Sequence, residues 1–466
     1  MKYFISIILI IISFIKLEAQ QLRVLYFNDA HELEAVDFEG QKVGGISKVS
    51  ALIKERRDVN TLVLFGGDLA GGTLGGKVFK GSVMLKALNE IGIDVANPGQ
   101  HEFDYGLDNF LKLKNSSTFP WISANLIDDK NENLLNPFKI IKSGTWNIGI
   151  LGITDKIETS SPDLALKSND YTHASKKIIA ENPQVDYWIA VTQMDMKKNQ
   201  ILHQAIPEIN LILTEETAHD RSQIIWHEHT PIIAASGNAG DVVEVNVNNA
   251  KMELQIHPIR EGAKEDNQMQ SWVSDSLQVM NKRLSTQIGF AKEDFSKQET
   301  HFGERAIGNL VTDAFKDYYK ADIAIIHGGG IREGIKKGGI SLKNVYQILP
   351  FENDLVLVKI TGSQIQEILH QSIKRMMPQV SGLALKVQKN DDGTSNLQVL
   401  FHDQPMDLNQ TYLVSLPSYI ADGGGDYNTI KPSHIIKREV KDAEALKLYL
   451  LKNQIVTPHL EGRIQF

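Results

Sequence analysis

From about Leu22 to Val247 the chain alternates short apolar runs with polar or helix-patterned stretches. The runs "LRVLYF", "TLVLFGG", "IDVAN", "WISANL", "WNIGILGI", "DYWIAVT", "INLILT" and "TPIIAAS" are bounded by turn residues and read as strands. "GGISKVSALIKERR", between the first two, carries a helical pattern. Strands alternating with helices predict an α/β fold, in which ligand-binding residues collect past the carboxyl ends of strands. Polar residues gather at those places here: Asn28, Asp29 and His31 after the first run, Asp68 after the second, Gln100 and His101 after the third. Farther on the pattern changes. Met269, Trp272, Val273, Leu277, Met280 and Leu284 recur at helical spacing among polar residues, which predicts a connecting helix within residues 261–290.

Composition narrows the class. A chain of 466 residues with 42% hydrophobic content can bury the cores of two or three domains. Forty-nine basic against 57 acidic side chains leave a net charge of −8, which offers no overall field for a nucleic-acid polymer or an anionic membrane. A small anion held by a few arginines remains compatible with that balance. Lys2, the apolar run "YFISIILIIISFI" and the polar "KLEAQQ" read as a signal peptide over residues 1–19, cleaved near Ala19. The run is short for a bilayer span, so the expectation is a periplasmic or secreted protein with no membrane attachment after cleavage. Cysteine is absent, which excludes disulfides and thiolate metal sites.

Taken singly, the polar motifs are ordinary loop chemistry. In order, "NDAH", "FGGD" and "GQHEFDYG", each at a strand end, resemble the calcineurin-like metallophosphoesterases, specifically the secreted 5′-nucleotidase family. The resemblance implies a first domain over residues 20–260, a four-layer β-sandwich flanked by helices, and two divalent metal ions. Such ions orient an attacking hydroxide and neutralise charge on a phosphate ester. By the same resemblance Asp29 and His31 belong to one metal, Asp68 bridges, and His101 stabilises the transition state with Asp104 orienting its imidazole.

The other ligand positions depart from the family. Its "GNHEFD" asparagine is Gln100, its later "THxG" histidine is Gln193 in "VTQMD", and its "GGHxH" falls on "TEETA", with Glu216 and Ala218 at the ligand places. Two readings follow. Oxygen donors from Gln100, Gln193 and Glu216 could rebuild the second site for Mg²⁺ or Mn²⁺ rather than Zn²⁺. Alternatively, neutral amides bind a divalent ion weakly and leave one good position. His219, His227 and His229 lie nearby and read as exposed loop residues.

The resemblance also implies an α/β nucleotide-binding domain over residues 291–466. "GERAIGNLVTDAF" supplies Asn309, and "IIHGGGIREGI" sets Gly329 and Gly330 where backbone can approach a ligand, followed by Arg332, whose fork suits phosphate. "LPFEND" and "LPSYIADGGGDYNTI" place Phe351 and Tyr419 as the two aromatics that sandwich a base, with Asn353 beside the first. The family's sugar-binding Asp falls on Gly425, leaving Asp422 and Asp426 as displaced candidates, and Arg305 is the guanidinium nearest the family's upstream arginines. The expectation is an exported, metal-dependent 5′-nucleotidase or related phosphomonoesterase. A nucleotide-binding protein that has lost turnover and a hydrolase of another phosphate ester, such as a nucleotide sugar, are the alternatives.

Overall fold

The computed structural model describes residues 21–465 except 39, 72, 156–165, 216–220, 249–250, 298–302, 352, 375, 390–394 and 425–426. The segment read as a signal peptide and Glu216 therefore lie outside the described residues. The chain divides into two compact units, the boundary falling between Val273 and Ser274, within the helix Asn267–Leu284. A short insertion containing the helix Leu74–Phe79 groups with the second unit.

The first unit is a sandwich of two sheets. Its strands, in chain order, are β1 (Gln21–Phe27), β2 (Thr61–Phe65), β3 (Val95–Ala96), β4 (Phe138–Ser143), β5 (Trp146–Thr154), β6 (Tyr187–Gln193), β7 (Ile209–Thr214), β8 (Gln223–His227), β9 (Thr230–Ala234), β10 (Asp241–Asn248) and β11 (Lys251–Pro258). One sheet has the order β11-β10-β1-β2-β3 and the other β8-β9-β7-β6-β5-β4. β1, β2 and β3 run parallel, as do β5, β6, β7 and β9. Successive side chains of a strand point to opposite faces. Leu22, Val24 and Tyr26 of β1 thus enter one core with Ile148, Ile150, Ile189, Val191, Leu211 and Leu213 of the other sheet. On the far face of the second sheet Leu151, Ile153 and Ala190 pack with Ile179 and Leu202 from the helices Tyr171–Glu181 and Met196–Ala205. On the far face of the first, Phe65 meets Trp121, which meets Phe110 of the helix Leu107–Ser116. Helix, sheet, sheet and helix make four layers, the architecture the motifs imply.

One strand expectation fails. "WISANL" forms only isolated bridges, Trp121 to Ala96 and Ile122 to Asn136, before a short strand Leu126–Asp128. Its apolarity serves an aromatic cluster of Trp121 with Phe65, Phe110 and Phe119 rather than a ladder.

The second unit is built on a five-stranded sheet: Gln379–Ser381, Ile323–Ile326, Thr411–Pro417, Asp354–Thr361 and Ile435–Lys441, in spatial order. Alternation along Ile323–Ile326 splits the strand between two cores. Ala324 and Ile326 face Val311, Ala314 and Phe315 of the helix Ala306–Tyr319, whereas Ile323 and Ile325 join Ile365, Ile368 and Leu369 of the helix Gly362–Ile373.

Candidate functional site

The parallel order β1-β2-β3 brings three sequence-distant strand ends side by side. Asp29 lies two residues past β1 and Asp68 three past β2, and both adopt the left-handed conformation, φ 56° and 61°. That region costs a residue with a β-carbon, so its appearance at both strand-end carboxylates marks a site the surrounding fold enforces. Hydrogen bonds from Asp29 N–H to the Gly67 carbonyl (2.9 Å) and from Gly66 N–H to Phe27 (2.9 Å) lock the two turns together. After β3, the His101 N–H donates to Asp68 Oδ1 at 2.8 Å. Gly99 cannot be larger, because a β-carbon there would collide with the Asp68 carboxylate.

These turns assemble Asp29, His31, Asp68, His101 and Asp104. His31 Nε2 contacts Asp29 Oδ1, the His31 and His101 rings meet edge to face at 5.2 Å, and His101 Nδ1 donates to Asp104 Oδ2 at 2.8 Å. Asp29 is 8% exposed and Asp68 1%. Burial works against ionisation of Asp29, but His31, the Asn238 N–H and His101 hold its carboxyl below the usual value. Burial, with Asp29 adding to it, holds Asp68 above it against the pull of His101 and His31. Burial pulls the His101 imidazole down, while the Asp104 hydrogen bond and the carboxylates of Asp68, Asp104 and Glu102 lift it to about 9.

Three residues that the motif reading passed over complete the cluster. Glu102 is fully buried and accepts the backbone N–H groups of Asp68 (3.0 Å), Leu69 (2.7 Å) and Gly99 (2.6 Å), pinning two strand-end turns with one carboxylate. Glu215, one residue past β7 and 7% exposed, accepts from Gln193 Nε2. Tyr26 is fully buried, and its phenol is raised well above its ordinary value by burial and by Glu215, Asp29 and Asp68. Its strand position inside an apolar run gave no signal of that.

The donor chemistry of Asp29, His31 and Asp68, two carboxylates and an imidazole, fits a divalent cation. The side-chain amide atoms of Asn28 and the Tyr26 hydroxyl are buried beside them with no hydrogen-bond partner among the described residues, which is how polar atoms around an ion or water site look. Among the described residues no three His, Asp or Glu side chains are drawn together as a ligand cluster. On the other side of Asp68 the chemistry of the described residues does not fit a second ion. Gln193 Nε2 donates to the Gly66 carbonyl (2.7 Å) and to Glu215, so a donor rather than a lone pair faces that space. Gln100 is half-buried and its side chain caps nothing in the short helix His101–Phe103.

In the second unit the glycine turn Gly328–Gly330 follows the strand Ile323–Ile326. His327 Nδ1 accepts the Gly329 N–H at 3.1 Å, and Arg305 Nη2 donates to the Gly328 carbonyl at 2.9 Å, so this buried arginine supports the turn. Arg332 lies over the Phe351 ring, 5.7 Å from its centroid. Phe351 is 57% exposed and Tyr419 42%, unusual for such large rings. Asn353 Oδ1 accepts the Tyr419 N–H at 3.2 Å and thereby positions that ring. Asp422 is held in a two-pronged ion pair by Arg438, and Asn309 donates to Glu304 (2.7 Å) and the His459 carbonyl (3.0 Å). Both side chains are committed within the fold. Gly425 and Asp426 lie outside the described residues.

Comparison with known proteins adds an independent line. The 5′-nucleotidase C-terminal domain family matches residues 286–432. The chain is similar to the trifunctional nucleotide phosphoesterase YfkN of Bacillus subtilis (strain 168), 26% identical over 95% of this chain; it spans only about a third of that protein, 35%. It is similar to the 5′-nucleotidase of Bos taurus, 25% identical over 96% of this chain and 91% of that protein. Its fold is shared by a crystal structure described as a putative 5′-nucleotidase from Staphylococcus aureus in complex with alpha-ketoglutarate, with TM-score 0.71, 16% identity, and coverage of 94% of this chain and 99% of that one. Motifs, fold and relatives point the same way: residues 286–432 match the 5′-nucleotidase C-terminal domain family, and the chain as a whole is similar to 5′-nucleotidases.

Proposed function

We propose that the protein is an exported, divalent-metal-dependent phosphomonoesterase acting on nucleotides, the first unit cleaving and the second recognising the nucleotide. The observation that carries this reading is the convergence of Asp29, His31, Asp68 and the His101–Asp104 pair past adjacent parallel strands, with both carboxylate turns in left-handed conformation. Asp29, His31 and Asp68 would hold an ion of the Mn, Mg or Zn class, which when bound supplies Lewis acidity toward a phosphoryl oxygen. Asp104 accepts the Nδ1–H of His101, fixing the ring and leaving Nε2 to donate to the phosphoryl oxygen as charge develops there. The exposed Phe351 and Tyr419 rings offer π-faces to a base, and the Arg332 fork suits an anionic group. The leader-like residues 1–19 support export.

The test is phosphate release from AMP by protein stripped with chelator and reloaded with Mn²⁺, Mg²⁺ or Zn²⁺. Activity that returns with at least one ion, and is lost in Asp29→Asn and Asp68→Asn, supports the reading. Nucleotide binding without release under any ion contradicts it and favours a binding protein.

A further inference from the structure

We infer that the strand-end site is mononuclear: Asp29, His31 and Asp68 hold one ion, and the Gln193–Glu215 pair takes the place of a second. This rests on the metal-dependent reading above and concerns the number of ions alone.

The argument starts from what surrounds Asp68. Its carboxylate has the Asp29–His31 pair and His101 within electrostatic reach. Its Oδ1 and the amide nitrogen of Gln193 both lie within 3 Å of the place a β-carbon on Gly99 would take, at 2.2 and 2.8 Å, so the Gln193 amide lies alongside it. A second ion sharing Asp68 would therefore sit toward Gln193. What it meets there is decided by the partners of that amide. The Gly66 carbonyl can only accept, and the Glu215 carboxylate accepts. The nitrogen must face both. Turning the amide to offer its oxygen would set three oxygens against one another, with no hydrogen between them, in a place where Gln193 is 4% and Glu215 7% exposed. Two buried hydrogen bonds, one of them to a carboxylate, would be lost together, and such charge-assisted bonds are the strong ones. The amide hydrogens carry partial positive charge into the space and repel a cation. Glu215, which could have been an oxygen ligand, instead turns its Oε2 to the amide. Gln193 is the last residue of β6 and Glu215 follows β7, its parallel neighbour, so the pair is fixed by the sheet register rather than by a loose loop.

The test counts ions at equilibrium. Intact protein is titrated with Mn²⁺, bound ion is read from loss of the free-ion electron paramagnetic resonance signal, and the spectrum of the bound ion is recorded. The expected result is one ion per chain with the spectrum of an isolated Mn²⁺, unchanged in Glu215→Ala. Two ions per chain, or a spin-coupled pair, would overturn the inference while leaving the proposed hydrolase standing. A count that falls well below one in Glu215→Ala, with parent at one, would overturn it too, since Glu215 would then be a ligand. No bound ion in the parent would sink both this inference and the metal-dependent reading, which separates the two failures.

Discussion

Removing the Glu102 carboxylate should unfasten the turns that carry the site. Its Oε2 takes the N–H groups of Asp68 and Gly99 and its Oε1 that of Leu69, all in a fully buried place. Glu102→Ala leaves three buried donors unsatisfied, each costing about 1–3 kcal/mol. Allowing water to enter the space left behind, the expected loss is about 3–6 kcal/mol. In Glu102→Gln the amide oxygen can keep the two bonds made by Oε2, but its NH₂ then confronts the Leu69 N–H, so about 1–3 kcal/mol is expected. Two compact units make whole-chain unfolding a poor two-state measure. All five tryptophans (Trp121, Trp146, Trp188, Trp226 and Trp272) lie in the first unit, so tryptophan fluorescence during urea unfolding reports that unit selectively. The predicted order of stability is parent, Glu102→Gln, Glu102→Ala. A Glu102→Ala protein within about 1 kcal/mol of the parent, the low end of the cost for a single unsatisfied donor, would refute the pinning argument.

Other predictions follow from the same reasoning. Asp266 accepts Ser50 Oγ at 2.6 Å and Lys54 Nζ at 2.5 Å and the N–H groups of Gln268 and Met269 at the start of the connecting helix; burial opposes ionisation, but these bonds bring its carboxyl down to about 2. Because the folded value lies below the unfolded one, its stabilisation is present above about pH 4 and is lost as pH falls toward 2; Asp266→Asn should flatten the acid limb of a tryptophan-monitored titration there, and an unchanged limb would contradict the assignment. Phe351→Ala or Tyr419→Ala should weaken AMP binding by about 1–3 kcal/mol in calorimetry without altering metal content, whereas unaltered affinity would remove the rings from the base site. Asn353→Ala should give a smaller loss, about 1 kcal/mol, because it leaves both rings in place and removes the bond to the Tyr419 N–H together with the longer ones to Ser418 and Asp442. Arg463 forks onto Asp313 at 2.8 and 3.0 Å and donates to the Val380 carbonyl, so Arg463→Ala should destabilise the second unit by about 3–5 kcal/mol, seen as faster hydrogen exchange in the helix Ala306–Tyr319. Unchanged exchange would show the pair to be dispensable.

Much of the fold was legible because it is written in period and punctuation. "LRVLYF", "TLVLFGG" and "WNIGILGI" are apolar on both faces, as parallel strands buried between layers must be, and each ends where the chain turns. "WISANL" misled because burial in an aromatic cluster selects the same residues as a strand. At the site, the motif order pointed to Asp29, His31, Asp68, His101 and Asp104, and the structure brings these together. Glu215 escaped notice because the motif reading set the ligand position one residue later, at Glu216, and only the tertiary arrangement shows Glu215 meeting the Gln193 amide. Glu102 stood in plain view in "GQHEFD", yet only the tertiary arrangement shows it meeting three backbone donors. Asp422 illustrates the converse: a carboxylate beside a glycine turn looks available until Arg438, sixteen residues on, is seen to hold it.

The most direct test of the account is the rate of phosphate release from AMP in the metal-loaded parent and in His101→Ala, measured alongside AMP affinity. The account predicts turnover in the parent, a fall of about 10²–10³-fold in the variant, and little change in affinity, since His101 is assigned to charge that develops on the phosphoryl oxygen during reaction. Turnover in His101→Ala equal to the parent's would contradict the assignment of the strand-end cluster as the catalytic centre.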